Sequence, residues 1–236
     1  MLVVLFLVLV LGGIGWHFIT PGSSTLSTTL SVQPQMMSTL GETPVSSTPS
    51  SANLAAVLLA DNPPTLGSPN ASVTIVEFGD YQCPTCGEWY NMQEASVIQN
   101  LVNTGKAKLV WRDFDYYGPD SISASEAAYA AGEQGKFWQF HDLLFQNQQT
   151  PNGGWASRQN LDKLARQLGM NMTQFDQAFN SGNYDSLIKS NHDLGVQAQI
   201  TGTPTFFLIG PRGNMVTIAG GQPESVFEQA VTQLTS

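Results

Sequence analysis

Apolar residues follow three different rhythms along this chain. The first is unbroken. Residues 1–16 read MLVVLFLVLVLGGIGW, the apolar character runs on through Phe18 and Ile19, and no charged side chain precedes Glu42. Such a run sits at the short end of a membrane-spanning helix and overlaps the apolar part of an export signal. It predicts a signal anchor over residues 1–20, favoured over a cleaved signal peptide because no clear A-x-A site follows. Neither flank carries Lys or Arg, so charge gives no orientation. The second rhythm is none at all. Residues 21–52 are rich in Ser, Thr and Pro, and without periodic apolar positions they cannot offset the entropy of folding. They predict a flexible linker, extended here to residue 61, with a helical turn or two over Asn53–Ala60.

From residue 62 onward, strand and helix patterns alternate. Val73–Phe78 is a β-branched run between Pro69-Asn70 and Gly79-Asp80, as a buried strand requires. From Pro84 to Val102 apolar residues recur at threes and fours, and Asn103-Thr104-Gly105 ends the helix. Lys108–Phe114 is a second strand. Strand, helix, strand predicts a right-handed βαβ unit with a parallel pair. Helical patterns then fill residues 121–148, 161–170, 173–182 and 184–199. Thr205–Ile209 and Met215–Ala219 are strands about a Pro211–Asn214 turn, and Gln222–Leu234 is an amphipathic helix. The prediction is an α/β fold: βαβ, a helical insertion over about 119–199, then ββα. It implies a four-stranded mixed sheet with helices on both faces.

Composition narrows the function. Nine Lys and Arg stand against 18 Asp and Glu, a formal net charge of −9. That excludes the basic footprint of nucleic-acid binders and leaves a hydrophobic segment as the means of holding an anionic membrane. The low charged fraction of 11% suits an extracytoplasmic protein. Two sequons, at Asn70 and Asn171, are what a Ser/Thr-rich chain yields by chance, and modification is not expected.

The only two cysteines are Cys83 and Cys86, in GDYQCPTCGEW. A disulfide across two residues removes little unfolded-state entropy, and a folded region of about 170 residues does not need one. A zinc site wants four ligands. There is no second CxxC, and His17, His141 and His192 are scattered. A redox-active pair is the favoured reading. Cys83 falls where strand becomes helix, so unpaired backbone N–H groups and the helix dipole favour its thiolate. Pro84 suits the first helical position. Thiolates in such places have a pKa of roughly 3.5–7.5, and the thiolate is the attacking species in disulfide exchange. Cys86, one turn further in, is predicted to be buried and to resolve mixed disulfides.

The chain from about Pro64 resembles the DsbA-like thiol–disulfide oxidoreductases of the thioredoxin superfamily. The likeness is carried in order by VTIVEFGDYQCPTC (73–86), LVWRDF (109–114), AAGEQGKFWQFHDLLFQNQ (130–148), GVQAQITGTPTFFLIG (195–210) and GGQPESVFEQAV (220–231). It implies a thioredoxin core with a helical domain inserted between its halves. It implies Cys83 as nucleophile and Cys86 as resolver, with the disulfide between them as the only redox group and no separate cofactor. Thr203-Pro204 matches the family's X–cis-proline loop, which with Pro84 and Thr85 would form the substrate-binding rim. Glu77 matches a buried acid beneath the active site that relays protons, unless strand alternation turns it to solvent. Asp80 is read as a turn residue and His141 as a core histidine.

Two departures from the family qualify this. Pro-Thr stands where the most oxidising members have Pro-His. A milder oxidant is therefore expected, between about −120 mV for DsbA and about −270 mV for thioredoxin. RDFDYYGPD stands where relatives often have RDFP. The expectation is a membrane-anchored, extracytoplasmic oxidase of reduced or unfolded exported proteins, reoxidised by a quinone-linked membrane thiol oxidase. The alternatives are a reductase or isomerase, or a non-enzymatic module binding peptides or Cu(I).

Overall fold

The computed structural model describes residues 51–236, so the anchor over 1–20 and the linker as far as residue 50 lie outside the described residues. The core is a single sheet of order β1-β3-β2-β4-β5. Its strands are β1 (Thr65–Leu66), β2 (Val73–Gly79), β3 (Ala107–Asp113), β4 (Thr205–Ile209) and β5 (Met215–Ala219). β2 and β3 run parallel in the register Ile75↔Leu109 and Glu77↔Trp111. β4 is antiparallel to both β2 and β5. The sheet therefore has five strands, where the sequence pattern predicts four. β1 is two residues long, too short to show alternation, and is held by backbone pairing of Thr65 with Val110 and a bond from Trp111 N to Pro64 O at 3.0 Å.

β2 is buried along its whole length. Ile75 packs with Trp89, Leu101, Phe206 and Phe227 on one face. Val76 and Phe78 pack with Phe207, Leu194 and Leu58 on the other. A strand covered on both faces reads as a continuous apolar run, so alternation offers Glu77 no route to solvent.

A helix over Ser51–Leu58 precedes the sheet. Its Leu58 is fully buried, and the Arg112 guanidinium donates to the carbonyls of Leu58 and Ala60. Folded structure thus begins inside the span assigned to the linker over 21–61. Between β3 and β4 the chain forms helices Pro119–Gly132, Phe137–Gln146, Arg158–Gln167, Met172–Phe179 and Asp185–Gln197, the predicted insertion. Asn171 caps one of them, its side chain accepting from Gln174 N at 3.2 Å. A final helix, Glu224–Thr235, buries Phe227, Val231 and Leu234 against the sheet. Tyr81, Cys83, Cys86 and Trp111 share one apolar cluster with Phe140, Phe145 and Phe175 of the insertion. The inserted helices therefore pack directly on the cysteine turn.

Candidate active site

The site begins where β2 ends. Asp80 folds back on the turn, its Oδ1 accepting from Gln82 N at 2.7 Å and its carbonyl from Cys83 N at 3.0 Å. Its Oδ2 accepts from Tyr116 N at 2.7 Å and Tyr117 N at 3.0 Å. One buried carboxylate thus ties the cysteine turn to the RDFDYYGPD loop, the turn role predicted for Asp80. Cys83 is the extended N-cap residue of the helix that follows, and Pro84 is its first helical residue. The Gln148 side chain clamps the turn from the insertion, donating to Tyr81 O at 2.7 Å and Cys83 O at 2.9 Å. Gly87 makes room for this clamp. A Cβ there would stand 2.0 Å from Gln148 Oε1.

Both cysteines are free thiols. Pro84 and Thr85 are exposed beside them. The Cys83 thiol is lowered from 9.0 to about 6. The largest cause is a hydrogen bond from Cys86. The Thr203 side chain and the N–H groups of Cys86 and Thr85 add to it, against the opposing effect of burial. Cys86 goes the other way. Burial pushes its thiol well above the usual range, and its bond to Cys83 adds to that.

From far along the chain, Thr203-Pro204 enters with a cis peptide bond. The Cys83 Sγ lies 3.3 Å from the Thr203 carbonyl, to which it donates as a thiol. Pro204 is buried, and its carbonyl accepts from Gly220 N at 2.8 Å. The structure thus brings Cys83, Cys86, Pro84, Thr85, Thr203 and Pro204 together at one end of the inner strands β2 and β4.

Glu77 lies beneath, 1% exposed. Burial raises its carboxyl well above the usual range, helped by the charges of Glu94 and Cys83. His141 is fully buried, as a core histidine should be, between Tyr81, Trp111 and Phe145. Glu94 is the residue the sequence reading missed. It is 2% exposed, with Oε1 3.5 Å from His141 Nε2. Among the described residues no cluster of three or more His, Cys, Asp or Glu could hold a metal, and no helix is long and apolar enough to cross a membrane.

A parallel pair flanking a CxxC helix, faced by a cis-proline loop, defines a thioredoxin-type thiol site. A thioredoxin family model matches residues 60–215, and the chain belongs to that family. Similar proteins include two kinds. The chain is 27% identical over 154 residues to the probable disulfide bond formation protein D of Bacillus anthracis, covering 63% of this chain and 70% of that one. It is 33% identical over 148 residues to the Na(+)/H(+) antiporter NhaA 3 of Salinispora tropica, covering 62% of this chain but only 21% of the antiporter. Among solved structures, oxidised BdbD from Bacillus subtilis superposes with a TM-score of 0.64 at 24% identity, covering 72% of this chain and 91% of that one.

Proposed function

We propose that this chain is an extracytoplasmic thiol–disulfide oxidoreductase that introduces disulfides into exported proteins through Cys83-Pro-Thr-Cys86. The observation that carries the reading is geometric: Cys83 caps the helix with its Sγ 3.3 Å from the Thr203 carbonyl, and Cys86 lies buried one turn behind it. A client thiolate attacks Cys83 Sγ. The Cys83–Cys86 bond breaks, and Cys86 leaves as a thiolate that takes up a proton. A second client thiolate attacks the client sulfur of the mixed disulfide, releasing the oxidised client and Cys83 as a thiolate. A sulfur with a pKa of about 6 is a good leaving group in that last step. The Thr203 carbonyl and the exposed Pro84-Thr85 rim flank the attacked sulfur and would seat the client backbone.

The two electrons taken from each client pass on to a quinone-linked membrane thiol oxidase, and the segment over 1–20 tethers the domain beside it. The likeness to disulfide bond formation protein D supports this direction of flow. The test is the Cys86→Ser variant in the exporting cell. It should accumulate clients disulfide-bonded to Cys83. Correct export with no trapped client would sink the proposal. A potential at or below about −270 mV would reverse the direction to reduction.

A further inference from the structure

Cys86 needs a proton when it leaves and must lose one when it attacks, and it is sealed from water. Three features of the interior beneath it belong together. Among the described residues, seven buried side-chain nitrogen or oxygen atoms lack a hydrogen-bond partner, and Glu77 Oε2, Glu94 Oε1 and His141 Nε2 are three of them. Buried polar groups are normally paired, so three orphans in one compartment call for a cause. The second feature is contact. His141 Nε2 and Glu94 Oε1 stand 3.5 Å apart, and His141 Nδ1 is 3.2 Å from the Tyr81 hydroxyl. The third is the helix itself. After Pro84–Trp89 it makes a π turn over Tyr90–Glu94. A π turn carries one residue more than an α turn. Glu94 therefore takes the phase that the seventh residue after Cys86 would have in a plain α-helix, within about 20° of the same face. Without that turn, Gln93 would stand there.

We propose that Glu94 and His141 are positioning residues for thiol–disulfide exchange: a buried pair that holds charge against Glu77 and so sets the state in which Glu77 exchanges protons with Cys86. The proposal rests on the function proposed above. His141 Nε2 faces the Glu94 carboxylate at 3.5 Å without a hydrogen bond, close enough for an N–H there to favour the charge electrostatically. That negative charge, the second cause of the Glu77 shift after burial, holds Glu77 as a stronger base. The other ionisable groups around the pair are Tyr81 on the turn, Tyr90 on the same helix, Asp142 beside His141, and Cys83 with Cys86. Trp111 and Phe145 close the compartment.

The experiment uses the full chain, reduced, and oxidised glutathione as the probe. Cys83 thiolate attacks the glutathione disulfide, forming a mixed disulfide and releasing one glutathione thiolate. Cys86 then gives its proton to Glu77, attacks Cys83 Sγ and releases the second glutathione. Acid quenching and mass spectrometry separate the two steps, and each is followed against pH. Glu94→Gln should move the midpoint of the second step to lower pH and lower the rate several-fold on the plateau above it, where Glu77 is fully ionised but a weaker base. The first step should keep its wild-type profile. His141→Leu removes the donor that supports the Glu94 charge and should give the same acid shift. The double variant should shift no further, the signature of one shared interaction. His141→Gln, which keeps an N–H donor, should restore the wild-type midpoint. Glu94→Gln is near-isosteric, so the test survives if His141→Leu does not fold. A wild-type second-step midpoint in Glu94→Gln overturns the relay alone. A wild-type chain that forms no mixed disulfide overturns the proposed function and the relay with it.

Discussion

Cys83 and Cys86 are two residues apart, yet the rim around the first and the interior around the second push them in opposite directions. At the rim, Cys83 meets backbone N–H groups, the Thr203 hydroxyl and an exposed Pro84-Thr85 edge. In the interior, Cys86 meets burial and a carboxyl held above its usual range. The helix dipole is the usual account of an acidic N-terminal cysteine, but charges at a helix end typically gain only about 0.3–1 kcal/mol. Here the largest cause is the hydrogen bond from Cys86. The same bond appears on the other side as a cause that raises Cys86. The shared bond leads for Cys83 but comes second to burial for Cys86, so it links the two shifts and accounts mainly for the first. The resolver keeps its proton, and by lending it to Cys83 makes the nucleophile.

The sharpest way to break this comparison is to remove either sulfur. Cys83→Ser should abolish exchange with a peptide disulfide, read as loss of product to background. Next in size is a contrast at position 86. Cys86→Ser keeps an O–H donor and should leave the Cys83 thiolate pKa near 6, whereas Cys86→Ala should move it back toward 9.0, followed by thiolate absorbance against pH. If both variants titrate alike, the helix end and Thr203 set the acidity, and the Cys86 bond is not what lowers Cys83. The linkage has a matching sign. A thiol lowered from 9.0 to about 6 stabilises the reduced fold fully above pH 9, and that gain is lost as pH falls through 6.

The rim was far more legible in sequence than the interior. CPTC at a strand–helix junction announces itself through residue types, and TGTPT lies next to a readable strand. Asp80 was legible as a turn residue because Asp at a strand end has that local habit. Glu94 was not, because its burial depends on a π turn that α periodicity does not contain. Nor was the Gln148 clamp, a contact over 65 residues that depends on Gly87 having no side chain. Likewise β1 depends on a partner elsewhere, Val110, rather than on any pattern of its own, whereas the apolar run over Asn53–Ala60 announced a helical turn but not its tie to Arg112.

A smaller effect tests how much the rim can still add. Thr85 is exposed, and its backbone N–H already faces Cys83. Thr85→His would bring a partly cationic imidazole to a thiolate, which favours the charged form. The potential should become more oxidising by about 30 mV, a tenfold change in the equilibrium with glutathione. No change would mean that the contacts from Cys86 and Thr203 leave an exposed rim group nothing to add.

The smallest effect tests the interior, and its sign distinguishes function from stability. Burial favours neutral Glu77, so its contribution is fully present below the ordinary value of 4.5 and is lost as pH rises through the raised one. Glu77→Gln removes the ionisable proton and keeps the shape. The variant should match wild type in thermal unfolding at pH 4. At pH 8, where the wild-type fold must either hold an uncompensated buried charge or retain a proton at a cost, it should unfold about 2–4 °C higher. The same variant should slow the Cys86 step. A residue that weakens the fold at working pH while speeding exchange fits a group retained for chemistry. Equal unfolding temperatures at pH 8 would show that the compartment admits enough water to solvate Glu77, and the contrast between a wet rim and a dry interior would go with it.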